Sequence, residues 1–145
     1  MGKIIGIMNN RTETNCYPTA GQLERNVSQR LSNLYGKQFG HRPTRVDCHL
    51  QGNKLIICLE DVITPVEQLL LESQSSALGG QVRTFIDQTI KPKLQELVEE
   101  ILQVSVTLCL YDTAIDANYA GAIVVLANTP KTRIPKSSLK RRAIG

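Results

Sequence analysis

The sequence predicts an α+β two-layer sandwich, a four-stranded antiparallel sheet with helices on one face, in the order α-β-β-α-α-β-β. Three observations lead there. The chain of 145 residues carries apolar side chains at helical spacing over residues 18–39 and 81–103. Two runs that alternate with period two, Arg45–Gln51 and Lys54–Glu60, flank a Gly52-Asn53 turn. A second alternating pair, residues 104–111 and 121–127, follows the last helical stretch. Helices and hairpins grouped in this way favour segregated layers over a parallel α/β fold.

The elements follow in chain order. Residues 1–17 read as an N-terminal extension in which residues 3–8 suit a short edge strand. Pro18 and Thr19 open the first helix, whose stripe is Leu23, Val27, Leu31 and Leu34, widened by Tyr35 and Phe39. Gly40 is placed to cap it. In the first hairpin the turn sets Gln51 opposite Lys54. Val46, Cys48, Leu50, Leu55, Ile57 and Leu59 then share one face, and a slip of one residue would scatter them. Thr64-Pro65-Val66-Glu67 is a capping box with proline at the first helical position. Gly79-Gly80 reads as a break between this second helix and a third, over residues 81–103. The stripe expected there is Val82, Phe85 or Ile86, Ile90, Leu94, Leu97, Val98 and Ile101, with a kink at Pro92. In the last hairpin Val104, Val106, Leu108 and Leu110 alternate with Ser105, Thr107, Cys109 and Tyr111, and residues 112–119 form a polar loop. Residues 18–128 are one domain, and residues 129–145 a basic, flexible tail.

Composition narrows the function. A chain of this length buries enough surface to fold without disulfides or metal. Aromatic residues make up 4% with no Trp, which argues against a stacking platform for single-stranded nucleic acid. Lys131, Arg133, Lys136, Lys140, Arg141 and Arg142 alone exceed the net charge of +4, so the body of the chain carries slightly more acid than base. Cys16, Cys48, Cys58 and Cys109 match no zinc spacing and suit free thiols in the cytoplasm. The opening apolar run is too short for a signal peptide, and no stretch is long enough to span a membrane.

No catalytic constellation emerges. There is no GxSxG, Walker-type or GxGxxG motif. Asp47, His49 and Cys58 share a strand face, yet offer at most three metal ligands beside a lysine, and read better as a mixed polar surface. The expectation is therefore a protein without catalytic residues, metal or cofactor. Gly79 and Gly80, ahead of a helix and one turn from Arg83, could cradle an anion with free backbone N–H groups. Ile56, Cys58, Cys109 and Tyr111 are expected on the sheet face turned away from the helices. Apolar surface there suits a subunit interface, and a homodimer is the expected assembly.

Three stretches together resemble one family. They are Gly40-His41-Arg42-Pro43, Ile63-Thr64-Pro65-Val66-Glu67-Gln68-Leu69-Leu70, and Val82-Arg83, followed in the same order by residues 97–106 and Asp112. This pattern, over roughly residues 18–127, resembles the MpsC family, named for a sodium-translocating, membrane-potential-generating system. The resemblance implies a small soluble accessory protein, encoded beside membrane proteins that take up inorganic carbon, and located in the cytoplasm at the inner face of the membrane. It gives weight to Gly40, Pro43, Thr64, Glu67, Arg83 and Asp112. Capping and turn geometry account for the first four. Arg83 and Asp112 are less easily explained so, and Arg83 is expected to bind a carboxylate, either Asp112 or an anionic ligand. Gln103 departs from the family's usual glycine, and the extension and basic tail lie outside the resemblance.

Three functions follow as expectations. The first is a non-enzymatic accessory or regulatory module that docks to a membrane transport complex. The second is an RNA-binding module that uses the basic tail, with salt-sensitive affinity. The third is a small-ligand sensor with an enclosed pocket or an anion at the Gly79-Gly80 turn.

Overall fold

A computed structural model describes residues 16–135. Among these residues three helices and four strands appear in the expected order: α1 (Ala20–Phe39), β1 (Arg45–Gln51), β2 (Lys54–Glu60), α2 (Pro65–Glu72), α3 (Ser76–Leu102), β3 (Val106–Ala114) and β4 (Tyr119–Leu126). The strands form one antiparallel sheet in the spatial order β1-β2-β4-β3, so β1 and β3 are its edges among the described residues.

Local chemistry sets the helix ends. Thr19 caps α1 through a reciprocal pair of bonds with Gln22, and Gly40 closes it at φ 68, a left-handed conformation that glycine adopts without strain. Thr64 and Glu67 form the same reciprocal box at α2, with Pro65 in the first turn. The first hairpin has the expected register, Arg45 opposite Glu60 through Gln51 opposite Lys54.

The core lies between the sheet and the helices. Leu23, Val27, Leu31 and Tyr35 line the buried side of α1, and Ile86, Ile90, Leu94, Leu97, Val98 and Leu102 that of α3. They pack on Cys48, Leu55, Ile57, Leu59, Cys109, Ala120, Ala122, Val124 and Leu126 from the sheet.

Three expectations need correction. The first concerns Gly79-Gly80, which is not a break. α3 begins at Ser76 and runs through both glycines. Glycine inside a helix costs roughly 1 kcal/mol relative to alanine, but Gly79 lets α2 come close. A Cβ there would lie 2.9 Å from Leu71 Cδ2 and 3.1 Å from the Leu71 backbone nitrogen. The free N–H groups that an anion cradle needs are therefore spent inside the helix.

The second concerns β3. Val106 pairs with Leu126 and Leu108 with Val125, so Thr107 is an extra residue, a β-bulge. Beyond it the alternation is inverted. Cys109 and Tyr111 turn to the core, and Leu108 and Leu110 face outward. The strand also runs on to Ala114, leaving a short turn where a long polar loop was expected. That turn is structural. Asn118, at φ 52, donates from Nδ2 to Asp61 Oδ1 at 3.0 Å and accepts from the Ile63 backbone N–H at 2.8 Å, which ties the second hairpin to the β2–α2 connection.

The third concerns the α3 stripe. It passes through Gly79 and Arg83 rather than Val82, and Phe85 points into solvent. The chain after Pro130 begins anchored: the Arg133 backbone N–H donates to the Pro18 carbonyl at 3.0 Å, and Lys131 Nζ lies 5.8 Å from the centre of the Tyr17 ring. Lys136, Lys140, Arg141 and Arg142 of the basic tail, and the strand expected at residues 3–8, lie outside the described residues.

Candidate functional site

Arg83 is 2% exposed and Glu67 is fully buried, which makes them the unusual pair in an otherwise aliphatic core. A buried charge is tolerated only when paired and hydrogen-bonded. Arg83 Nε donates to Glu67 Oε1 at 2.7 Å and Arg83 Nη2 to Glu67 Oε2 at 2.8 Å, a two-pronged contact. Nη2 also donates to the Val62 carbonyl at 3.0 Å. Nη1 donates to the Tyr35 hydroxyl and to Asp87 Oδ1, each at 3.3 Å. The Tyr35 and Tyr111 hydroxyls share a hydrogen bond of 2.7 Å, and Thr113 donates to Asp87 Oδ1 at 2.8 Å. Glu67 keeps its capping role, since its Oε2 accepts from the Thr64 backbone N–H and hydroxyl at 2.9 and 2.8 Å.

The protonation of this cluster follows from its contacts. Burial alone would push Glu67 up, but the bonds from Arg83 and Thr64 outweigh it and hold the carboxyl below its ordinary value. Burial would likewise lower the Arg83 guanidinium, and Glu67 more than reverses that. Asp87 is raised by burial, only partly offset by Thr113 and Arg83. Burial also raises Tyr111 and Tyr35. The pair Glu67–Arg83 is therefore ionised, internal and satisfied.

This corrects the expectation for Arg83. Its carboxylate is Glu67, not Asp112, which is exposed and accepts a bond from its neighbour Thr113 N–H. Two signals for the true pair are visible in the sequence. Arg83 stands three residues before Ile86 and seven before Ile90, on the buried stripe of its helix. Glu67 sits one turn into an adjacent helix of opposite direction.

Above the cluster, α2 and the first part of α3 form a helical hairpin with a mostly apolar outer surface. Val66, Leu69, Leu78 and Phe85 are 49–69% exposed. Between Pro65 and Gln88 the one charged side chain in the exposed class is Glu72. Val66, Val82, Phe85 and Ile86 join Phe39 along a groove of about 620 Å³.

The outer sheet face is the second apolar surface. Ile56 is there as expected, with Cys58 half-buried. Leu108, Leu110, Tyr119 and Ile123 occupy the rest, in place of the inward-turned Cys109 and Tyr111. A shallow groove of about 500 Å³ passes over Gly121 between Cys58 and Asp112. Cys48, on the core side, is pushed up to about 11 by burial, which leaves its thiol protonated and unreactive.

The comparisons with known proteins identify the chain at the level of family. A family model described as "Na+-translocating membrane potential-generating system (MpsC)" matches residues 19–128. The chain belongs to the MpsC family. The match runs from the cap of α1 to just past β4, so it contains the whole sandwich, the Arg83 cluster and both apolar surfaces. No curated protein and no solved structure matches the chain. Among the described residues of this MpsC member, no helix is long and apolar enough to cross a membrane.

Proposed function

We propose that this chain is a non-enzymatic accessory protein of the membrane system for which its family is named, one that moves sodium or inorganic carbon. It docks on a protein component of that system through the outer surface of the α2–α3 hairpin. The observation that carries the reading is the apolar exterior of that hairpin from Pro65 to Gln88, where Glu72 is the one exposed charge. Interface cores are depleted of charge and enriched in aromatic side chains, as Val66, Leu69, Leu78 and Phe85 with Glu72 as their one exposed charge would provide. Nucleic acid or an acidic lipid surface would instead demand cations, and from Pro65 to Gln88 the hairpin exposes none. The ionisable groups of the buried cluster are satisfied by one another, which suits a scaffold rather than a reaction centre.

The test is affinity capture of the full-length protein from detergent-solubilised native membranes, with recovered proteins identified by mass spectrometry. Wild type is expected to recover a sodium- or bicarbonate-transporting membrane subunit. Leu69→Ser with Phe85→Ser should reduce that recovery at least tenfold, and removal of residues 136–145 should leave it intact. Recovery of RNA or ribosomes alone, or full recovery by the double variant, overturns the proposal.

A further inference from the structure

The register of the sheet makes its outer face self-complementary. Four rows of outward side chains cross the strands in the order β1, β2, β4, β3. Gln51, Lys54, Val125 and Leu108 form the first row, and His49, Ile56, Ile123 and Leu110 the second. Asp47, Cys58, Gly121 and Asp112 form the third, and Arg45, Glu60, Tyr119 and Ala114 the fourth. On β2 the apolar centre has Lys54 at one end and Glu60 at the other, where Arg45 of β1 lies 3.8 Å from the Glu60 carboxylate.

We propose that a second copy of this chain packs on this face about a two-fold axis that lies in the interface and runs across the strands. The operation keeps each strand over its counterpart and exchanges the first row with the fourth and the second with the third. Lys54 then meets Glu60 of the second copy, and His49 meets its Asp47. Ile123 enters the notch that Gly121 of the other copy leaves, and Val125 lies on Tyr119. Each contact occurs twice, as a closed two-fold interface requires. Aligned sheets pack about 10 Å apart with strands about 30° from parallel, an offset that the long Lys54 and Glu60 side chains can follow.

The rival arrangement has its axis along the strands. It would place Asp47 against Asp112 of the second copy and Lys54 against Val125. The cross-strand axis also sets one charge, Asp112, against an apolar side chain, Leu110 of the second copy, but it brings no like charges together and pairs Lys54 with Glu60, whereas the axis along the strands opposes two aspartates. Charge complementarity therefore selects both the occupant and the orientation. The residues involved do not overlap the α2–α3 exterior, so the dimer stands or falls independently of the docking reading above.

Sedimentation equilibrium of the full-length protein over a range of concentrations tests the proposal. Wild type is expected to dimerise. Ile123→Arg should weaken the dimer at least a hundredfold. Lys54→Glu and Glu60→Lys should each weaken it about tenfold, and the combined swap should restore it to within about threefold of wild type. Lys54 and Glu60 are exposed in the single chain, and far-ultraviolet circular dichroism confirms that the variants fold. A wild type that stays monomeric, a dimer indifferent to Ile123→Arg, or a double swap that fails to restore association overturns the proposal.

Discussion

The sheet and the α2–α3 hairpin distribute polarity in opposite ways. The core side of the sheet is aliphatic, with Leu55, Ile57, Leu59 and Val124 fully buried, and charges such as Arg45, Lys54 and Glu60 remain outside. The hairpin buries an ion pair and shows Val66, Leu69, Leu78 and Phe85 to solvent. Hydrophobic burial is non-directional and alone would favour turning α2 over, to bury Val66 and Leu69. The two-pronged Glu67–Arg83 contact is directional, and it holds the apolar side outward. The contrast teaches that the orientation of α2 rests on the ion pair, whereas α3 is also held by its aliphatic stripe from Ile86 to Leu102.

The largest expected effect comes from breaking that arrangement directly. Glu67→Gln leaves Asp87, at 3.3 Å, as the one carboxylate beside the buried Arg83 guanidinium. Loss of one member of a buried pair costs about 3–5 kcal/mol, to be read from the denaturant midpoint. The pH profile gives the sign. Glu67 is held below its ordinary 4.5, so its contribution is complete above about pH 4.5 and is lost as pH falls through the folded value. The gap between wild type and Glu67→Gln should therefore narrow in acid. Asp87 is raised and acts in the opposite sense, weakening the fold as pH rises through its folded value.

The two adjacent glycines sharpen the comparison at the next level. At Gly79 a Cβ meets Leu71, and Gly79→Ala should destabilise by about 1–2 kcal/mol despite the gain in helix propensity. At Gly80 nothing lies within 4 Å, and Gly80→Ala should stabilise by about 0.5–1 kcal/mol. Thermal melts of the two variants should move in opposite directions.

The smallest effects separate the cluster from its surroundings. Tyr111→Phe removes the 2.7 Å bond to Tyr35 and should cost about 1 kcal/mol in chemical denaturation. Asp112→Asn, next in the chain but exposed, should stay within about 0.5 kcal/mol.

Much of this architecture is legible in the residues themselves. The hairpin register follows from period-two alternation around Gly52-Asn53, because a slip would have exposed Leu55, Ile57 and Leu59. Both capping sites are local, so three or four residues suffice to read them. What escaped depends on partners distant in sequence. A bulge is one extra residue in a pairing, and the run around Thr107 alternates equally well with or without it. Only Leu126 and Val125 reveal the shift, and it reversed Cys109 and Tyr111. Gly79 has the same composition whether it ends a helix or admits Leu71. Glu67 already had a sufficient explanation in its cap, which hid its second role. Asp112 drew attention as a carboxylate in the right order, but order along the chain says nothing about facing direction.

The position of Arg83 has a consequence for how the molecule opens. Its guanidinium touches α1 through Tyr35, the β2–α2 connection through Val62 and α2 through Glu67, and Asp87 extends it to β3 through Thr113. A helix of eight residues with much of its apolar side in solvent would ordinarily be the first part to fray. Here α2 cannot lift away without taking the Glu67 carboxylate from a guanidinium whose one other charged partner is Asp87. Opening α2 therefore costs the ion pair as well as its few apolar contacts, which ties the least buried helix to the elements that Arg83 and Asp87 join.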